Sequence, residues 1–348
     1  MLGQDLSGIV SRDDPVTSTE EDQGPIYVAT TNDALDAVLE RTPPGRRGDL
    51  VLLQAGRVRP LLFSDGSQPS QHRPQNGWLL PWLEQRGVPE DVTLVALYMA
   101  AGSDGTARCG LRTVVSGRWA EHVSRTLARG GVSCRVVSRP ALLVALVEKK
   151  LWAALFWMMS AALGGATVGD IVTHHRADVA ALVDELLPLL RAQLLRMGTA
   201  ANRGRDDAAA CDAAADGPQG HGAGADCAAV GGVEAAASLA SARGDAGLGR
   251  GSGSVAPAGE GLVQWGGTGA GSTPFHEAAA ALQAHGAVVD ALVGYSESIA
   301  AAVPSKEMAL REFAWRNGAL LRLARTPLHC AWLRRAGVPP EVLAEYGA

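Results

Sequence analysis

The five cysteines of this 348-residue chain, Cys109, Cys134, Cys211, Cys227 and Cys330, form no Cys-x-x-Cys pair and share no ligand spacing with histidine. That removes a thiolate metal site and a disulfide framework from the readings to consider, and an odd, scattered set fits a reducing compartment. An excess of positive charge is also lacking: 31 Lys and Arg stand against 36 Asp and Glu, and the arginines are scattered among acids. Nucleic-acid binding needs a concentrated basic face, so that class of partner is not expected. Residues 1–24 are polar and acidic and hold no apolar signal-peptide core. The expectation is a soluble intracellular protein, in the cytoplasm or an organelle. The longest apolar run, Pro140–Leu163, carries Glu148, Lys149 and Lys150 at its middle. Charge at a bilayer centre is costly, so the run reads as a buried helix of a soluble domain and not as a membrane span.

What is there alternates strand and helix over the first 139 residues. Ile26–Thr30 and Leu50–Leu53 are short apolar runs, and Val92–Ala101 reads as one buried strand. Between the first two, Asp33–Arg41 carries a helical face through Ala34, Leu35, Val38 and Leu39, ended by Pro43-Pro44-Gly45. A helix over Gly117–Arg129 leads to a strand at Cys134–Val137. Continuous apolar strands separated by helices predict a parallel α/β sheet covered on both faces. Residues 63–76 are turn-formers without periodicity and read as a loop insertion. From residue 140 the pattern is helical: Leu142–Leu163, Val179–Arg196 with Pro188 inside, one or two helices in Pro274–Val303, Lys306–Arg325, and a short Pro339–Glu345. Residues 198–261 are rich in Ala, Gly and Asp with few large apolar groups, and read as a disordered insertion. Its GxGxxA match at Gly220–Ala225 follows no strand and opens no helix, so it is not a phosphate loop. Two domains result, 1–139 and 140–348.

Two segments carry chemistry. Glu148–Trp152 (EKKLW) places lysines in an apolar helix, where an amine needs an acidic partner or a wet cleft. Such an amine is a natural proton donor to a ketone, although three consecutive charges can also form a surface stripe. Arg311–Gly318 (REFAWRNG) sets Glu312 and Arg316 four apart, able to pair on one helix face, and Ser305 upstream fits an N-cap.

The order of these segments resembles the ketopantoate reductase family, NADP-dependent enzymes that reduce 2-dehydropantoate. Lys150–Leu151, the run Ser160–Val172 (SAALGGATVGDIV), Glu312 through Asn317–Gly318, Ser305 upstream, and the strand end DLVLLQAG resemble the family's segments over about residues 24–62, 77–197 and 273–330. The resemblance implies a truncated Rossmann-like domain followed by a helical 6-phosphogluconate-dehydrogenase-like C-terminal domain. It implies a keto acid substrate and NADP as cofactor. Lys150 would be the proton donor, with Lys149 its alternative. Glu312 would hydrogen-bond the substrate, with Ser305 and Asn317 beside it. Arg12, Thr30, Gln54, Ala55 and Gly56 would lie at the cofactor, and the helical domain would support a homodimer through Trp152, Phe156, Trp157 and Met158.

The chain also departs from the family. The strand–GxGxxG–helix unit that holds a pyrophosphate is missing before Ile9–Arg12, which resembles the end of the second family strand. Alanine stands at 55, 154 and 314, where the family carries asparagine, asparagine and an acid. These departures leave open a catalytically silent chain acting as a helical dimerisation or scaffold module, or a truncated gene product.

Overall fold

The computed structural model describes residues 24–30, 34–53, 79–101, 107–109, 112–215 and 272–346. The chain divides into two compact units, residues 1–204 with 271–348, and residues 205–270. In the second, the described residues are 205–215, which are helical. The sheet and the candidate site belong to the first.

Strands β1 (Ile26–Val28) and β2 (Leu50–Leu52) run parallel, joined through α1 (Leu35–Arg41). After α2 (Leu79–Glu84), β3 (Thr93–Ala96) continues parallel to β2. The chain then folds back: β4 (Met99–Ala101) and β5 (Ala107–Cys109) pair antiparallel, and β6 (Val114–Ser116) returns antiparallel beside β3. α3 (Ala120–Arg129) crosses to β7 (Arg135–Val136), parallel to β6. The sheet order is β1-β2-β3-β6-β7, a mixed sheet where an all-parallel one was expected. The reason lies in Val92–Ala101, which is two strands and not one. The short link from β4 to β5 permits only an antiparallel return, since a parallel one needs a crossover. The pairing also shifts along this hairpin, from Leu94 opposite Ser116 to Met99 opposite Cys109. At the shift the Tyr98 N–H donates to the Thr113 hydroxyl at 3.0 Å, a side chain standing in for a ladder partner.

Alternate strand residues serve two cores, as a period of two requires. Leu50, Leu52, Leu94, Ala96 and Val114 join the large core shared with the helices after residue 139. Val51, Val95 and Val115 pack with Ala120, Val123 and Leu127 of α3 on the other face. α3 begins at Ala120, three residues later than expected, because Gly117 is in the turn that precedes it. Gly117 has φ +127°, and a Cβ there would stand 2.5 Å from the Val92 carbonyl oxygen. At the entrance to β2, the Asp49 carboxylate accepts from Arg46 Nε at 2.6 Å and Trp119 Nε1 at 3.1 Å, tying β2 to the start of α3.

The helices are α4 (Arg139–Ala162), α5 (Val168–His174), α6 (Arg176–Ala215), α7 (Pro274–Ala281), α8 (His285–Ser298), α9 (Lys306–Arg311), α10 (Asn317–Leu323), α11 (Pro327–Arg335) and α12 (Pro340–Ala344). Ser138 caps α4 by accepting from the Ala141 N–H, with Pro140 in the first turn. Fourteen of the 24 residues of α4 are buried, so it is apolar nearly all round and takes the central position. It packs on β3 and β6 and against α5, α7, α8, α9 and α11. One core therefore runs from Leu50 and Leu94 to Leu142, Leu151 and Leu186, across the boundary expected at 139/140.

Two helices differ from expectation. α6 does not end near Arg196 but continues to Ala215, so residues 198–215 are helical where disorder was expected. A tract too poor in large residues to build a core can still be rich in alanine, the strongest helix former. Residues 216–261 and the loop at 63–76 lie outside the described residues. The second difference is Lys306–Arg325, which is two helices, α9 and α10, separated by the turn Glu312–Arg316. Among the described residues no helix is long and apolar enough to cross a membrane.

Candidate functional site

Successive residues of a helix point about 100° apart, so Glu148, Lys149 and Lys150 leave α4 in different directions. None forms the exposed stripe. Glu148 is 13% exposed and meets Arg112 at 3.7 Å. Burial pushes its carboxyl up, opposed by the Arg112 charge. Around this pair, Tyr98 and Tyr295 meet edge to face, Trp152 packs on Tyr295, and the Tyr98 hydroxyl donates to the Ala145 carbonyl at 2.8 Å.

Lys149 and Lys150 both turn toward the segment between α9 and α10. Lys150, 8% exposed, donates from Nζ to the Trp315 carbonyl at 3.3 Å, across 165 residues of sequence. Burial, and secondarily the charge of Arg322, brings its pKa down to about 8. Lys149 is half-buried. Burial and the Arg316 charge bring its pKa down to about 8 as well, partly offset by Glu312. The expected pair forms: Arg316 donates to Glu312 Oε2 from Nη2 at 2.6 Å and from Nε at 2.8 Å. It does so within a turn, and not along a helix face. Arg316 Nη1 also donates to the Ala153 carbonyl, one helical turn past Lys149 on α4. The arrangement thus brings Lys149 and Arg316 to the Glu312 carboxylate, with Lys150 and Arg322 bonded to the Trp315 and Ala314 carbonyls of the same turn, and this excess of cations suits an anionic ligand.

Ser305 caps α9, its hydroxyl accepting from the Met308 N–H at 3.1 Å. This is the structural role its position in the sequence suggested.

Asn317 is corrected as a substrate contact. It is fully buried, and its amide is engaged on every side by the protein. Its oxygen accepts from Trp157 Nε1 at 2.7 Å, and its nitrogen donates to the Ala154 carbonyl at 3.1 Å and to His329 Nε2 at 2.9 Å. The indole N–H can only donate, which fixes the amide orientation and places the His329 proton on Nδ1. Burial pushes the His329 pKa down to about 4, against a smaller opposing effect of Glu185, so the ring is neutral. Ala154, where the family carries asparagine, is itself buried under this network.

The expected dimer contacts are corrected likewise: Phe156, Trp157 and Met158 are at most 1% exposed within this chain's own core. Trp152 is half-buried, and its indole donates to Ser296 Oγ at 2.9 Å.

Thr30 is half-buried just past the end of β1. Arg12, Gln54, Ala55 and Gly56 lie outside the described residues. The dinucleotide implied by the resemblance needs a backbone N–H cradle for its pyrophosphate. Among the described residues, the turn after β1 offers Ala29 and Thr30 and no glycine. The seven-residue α1 beyond it has no side-chain cap. These described residues supply no such cradle. Reasoning from sequence missed Arg322, His329 and the Arg112 partner of Glu148, and gave Trp157 to a dimer face, because no periodicity marks these contacts. Among the described residues no group of His, Cys, Asp and Glu could hold a metal ion. No family model, no curated protein and no solved structure matches this chain.

Proposed function

We propose that the chain reduces a 2-oxo acid or related ketone as an NADP-dependent oxidoreductase of the ketopantoate reductase kind, its sheet a Rossmann-like unit. The observation that carries the reading is that Lys149 faces the Glu312–Arg316 pair while Lys150 bonds the Trp315 carbonyl of the same turn, in a half-buried, cation-rich place. A proton donor to a carbonyl oxygen works best when its pKa lies near the working pH. Lys150, brought down to about 8, is still mostly protonated at pH 7 and gives up its proton more readily than an exposed amine. Both Arg316 bonds fall on Oε2 of Glu312, which leaves Oε1 of a 37%-exposed side chain to accept a substrate hydroxyl. The surrounding cations hold the substrate carboxylate. The hydride is what NADPH supplies when bound, and no cradle for it is assigned among the described residues.

The test is NADPH fluorescence titration, followed by turnover on a panel of 2-oxo acids with wild type and Lys150→Met. Binding together with turnover lost in the variant supports the reading. A folded chain that binds no NADPH up to millimolar concentration refutes it. The saturated amide of Asn317 favours a second reading, a catalytically silent helical module, and that negative result would select it.

A further inference from the structure

Lysine is nearly absent from this chain. Of its 31 cationic residues only Lys149, Lys150 and Lys306 are lysine, and the other 28 are arginine. Two of the three adjoin on the central helix. Arginine does the work of a charge equally well, but only lysine can lose its proton and become a nucleophile. An amine becomes reactive when it is desolvated or set beside another cation, and Lys149 meets both conditions. It is half-buried, and the cation beside it is Arg316. The Arg316 guanidinium lies on the Ala153 carbonyl one turn along the same helix. Unlike Lys150, which is 8% exposed and hydrogen-bonded to Trp315, Lys149 keeps enough surface to be reached.

We propose that Lys149 is an imine-forming amine that condenses with the carbonyl of a small anionic oxo compound held by the surrounding cations. The neutral Nζ adds to the carbonyl carbon, a C–N bond forms, and one amine proton passes to the oxygen to give the carbinolamine. The C–O bond then breaks. Oxygen leaves as water after taking a proton from the solvent, and the positive charge stays on nitrogen as the iminium. No oxidant or reductant takes part. A pKa of about 8 supports the step, since it leaves about a tenth of the amine neutral at pH 7, on the order of 300 times the fraction of an ordinary lysine. The inference shares the anionic oxo substrate with the reduction reading but needs no nucleotide, so the two fail separately.

The full chain is incubated with pyruvate and sodium borohydride without NADPH, then digested and mapped by mass spectrometry. The expected result is an adduct on Lys149 at least about tenfold above the exposed Lys306, since part of the gain in neutral amine is offset by restricted access. The adduct is lost in Lys149→Arg with circular dichroism and Tm preserved. Equal labelling of Lys149 and Lys306, labelling of Lys150 in place of Lys149, or no adduct in a folded chain would each overturn it. If Lys149→Arg does not fold, competition serves instead: a non-carbonyl dicarboxylate such as succinate should suppress labelling at Lys149 but not at Lys306. Absence of that protection counts against the proposal.

Discussion

Replacing Asn317 by leucine separates a structural amide from a substrate contact. Leucine keeps the branched four-atom outline and removes three hydrogen bonds: from Trp157 Nε1, to the Ala154 carbonyl and to His329 Nε2. Ala154 lies inside α4, so its carbonyl keeps its helical partner and loses little. The indole N–H, by contrast, is left buried without an acceptor, at about 1–3 kcal/mol, and the imidazole nitrogen adds about 1 kcal/mol. The sum is about 2–4 kcal/mol. For a folded unit of this size that corresponds to a Tm lower by roughly 5–15 °C. The assay is urea and thermal unfolding followed by circular dichroism, with Trp157→Phe and the double variant completing a cycle. Because Trp157→Phe removes the donor that Asn317 serves, leucine should cost about 1 kcal/mol less in that background. A loss below about 1 kcal/mol in the single variant, or strict additivity in the cycle, would refute the reasoning and return Asn317 to the list of substrate contacts.

Lys150→Met should raise stability at pH 7. The folded-state pKa lies near 8 against an ordinary value of about 10.5, so the unfolded chain binds more protons between those values. Wild-type stability should therefore climb from pH 8 to pH 10, by up to about 3 kcal/mol for this residue, and methionine should flatten the climb in pH-dependent urea titrations. Glu185 shows the opposite sign. Burial pushes its carboxyl up, but the net direction is down, because it accepts from the Leu328 and His329 N–H groups at the start of α11. That stability is present above the ordinary carboxylate pKa and is lost as pH falls through the lowered one. Glu185→Gln should cost about 1 kcal/mol at pH 7 and progressively less as pH falls below the ordinary carboxylate value in the same titration. Two glycines give a contrast by differential scanning calorimetry. Gly294, exposed within α8 with nothing near its missing Cβ, should stabilise by about 0.5–1 kcal/mol on change to alanine. Gly117→Ala, strained by its φ and blocked by the Val92 carbonyl, should lower Tm clearly.

Much of the layout was legible because it rests on local periodicity. The strands at Ile26, Leu50 and Thr93, helix α3, and the long apolar helix around Lys150 follow from runs that repeat every two or 3.6 residues. The Ser305 cap and the Glu312–Arg316 pair were legible too, since both span only three or four residues. The hairpin from β3 to β6 was not, although Asp104-Gly105 is the kind of dipeptide that marks one. Periodicity joined Lys306 to Arg325 in one helix. The chain breaks there because Asn317 is bound to Trp157, Ala154 and His329, and because Gly318 packs where a Cβ would meet the Tyr346 ring at 2.5 Å.

The resemblance selected Lys150, Glu312, Ser305 and Asn317 as one set. Packing divides them: Lys150 and Glu312 gather at the same turn, Ser305 closes a helix end, and Asn317 is used up inside the core. The sequence by itself determined where most of the strands and helices lie, because their apolar residues repeat every two or 3.6 positions. Only the tertiary structure decided which way the sheet turned after β3 and which face of α4 each lysine took. It also decided that a buried amide would serve stability. Those outcomes depend on contacts outside any helix or strand repeat, from Tyr98 with Thr113 to Lys150 with Trp315 and Asn317 with Trp157, and such contacts leave no spacing in the sequence to read.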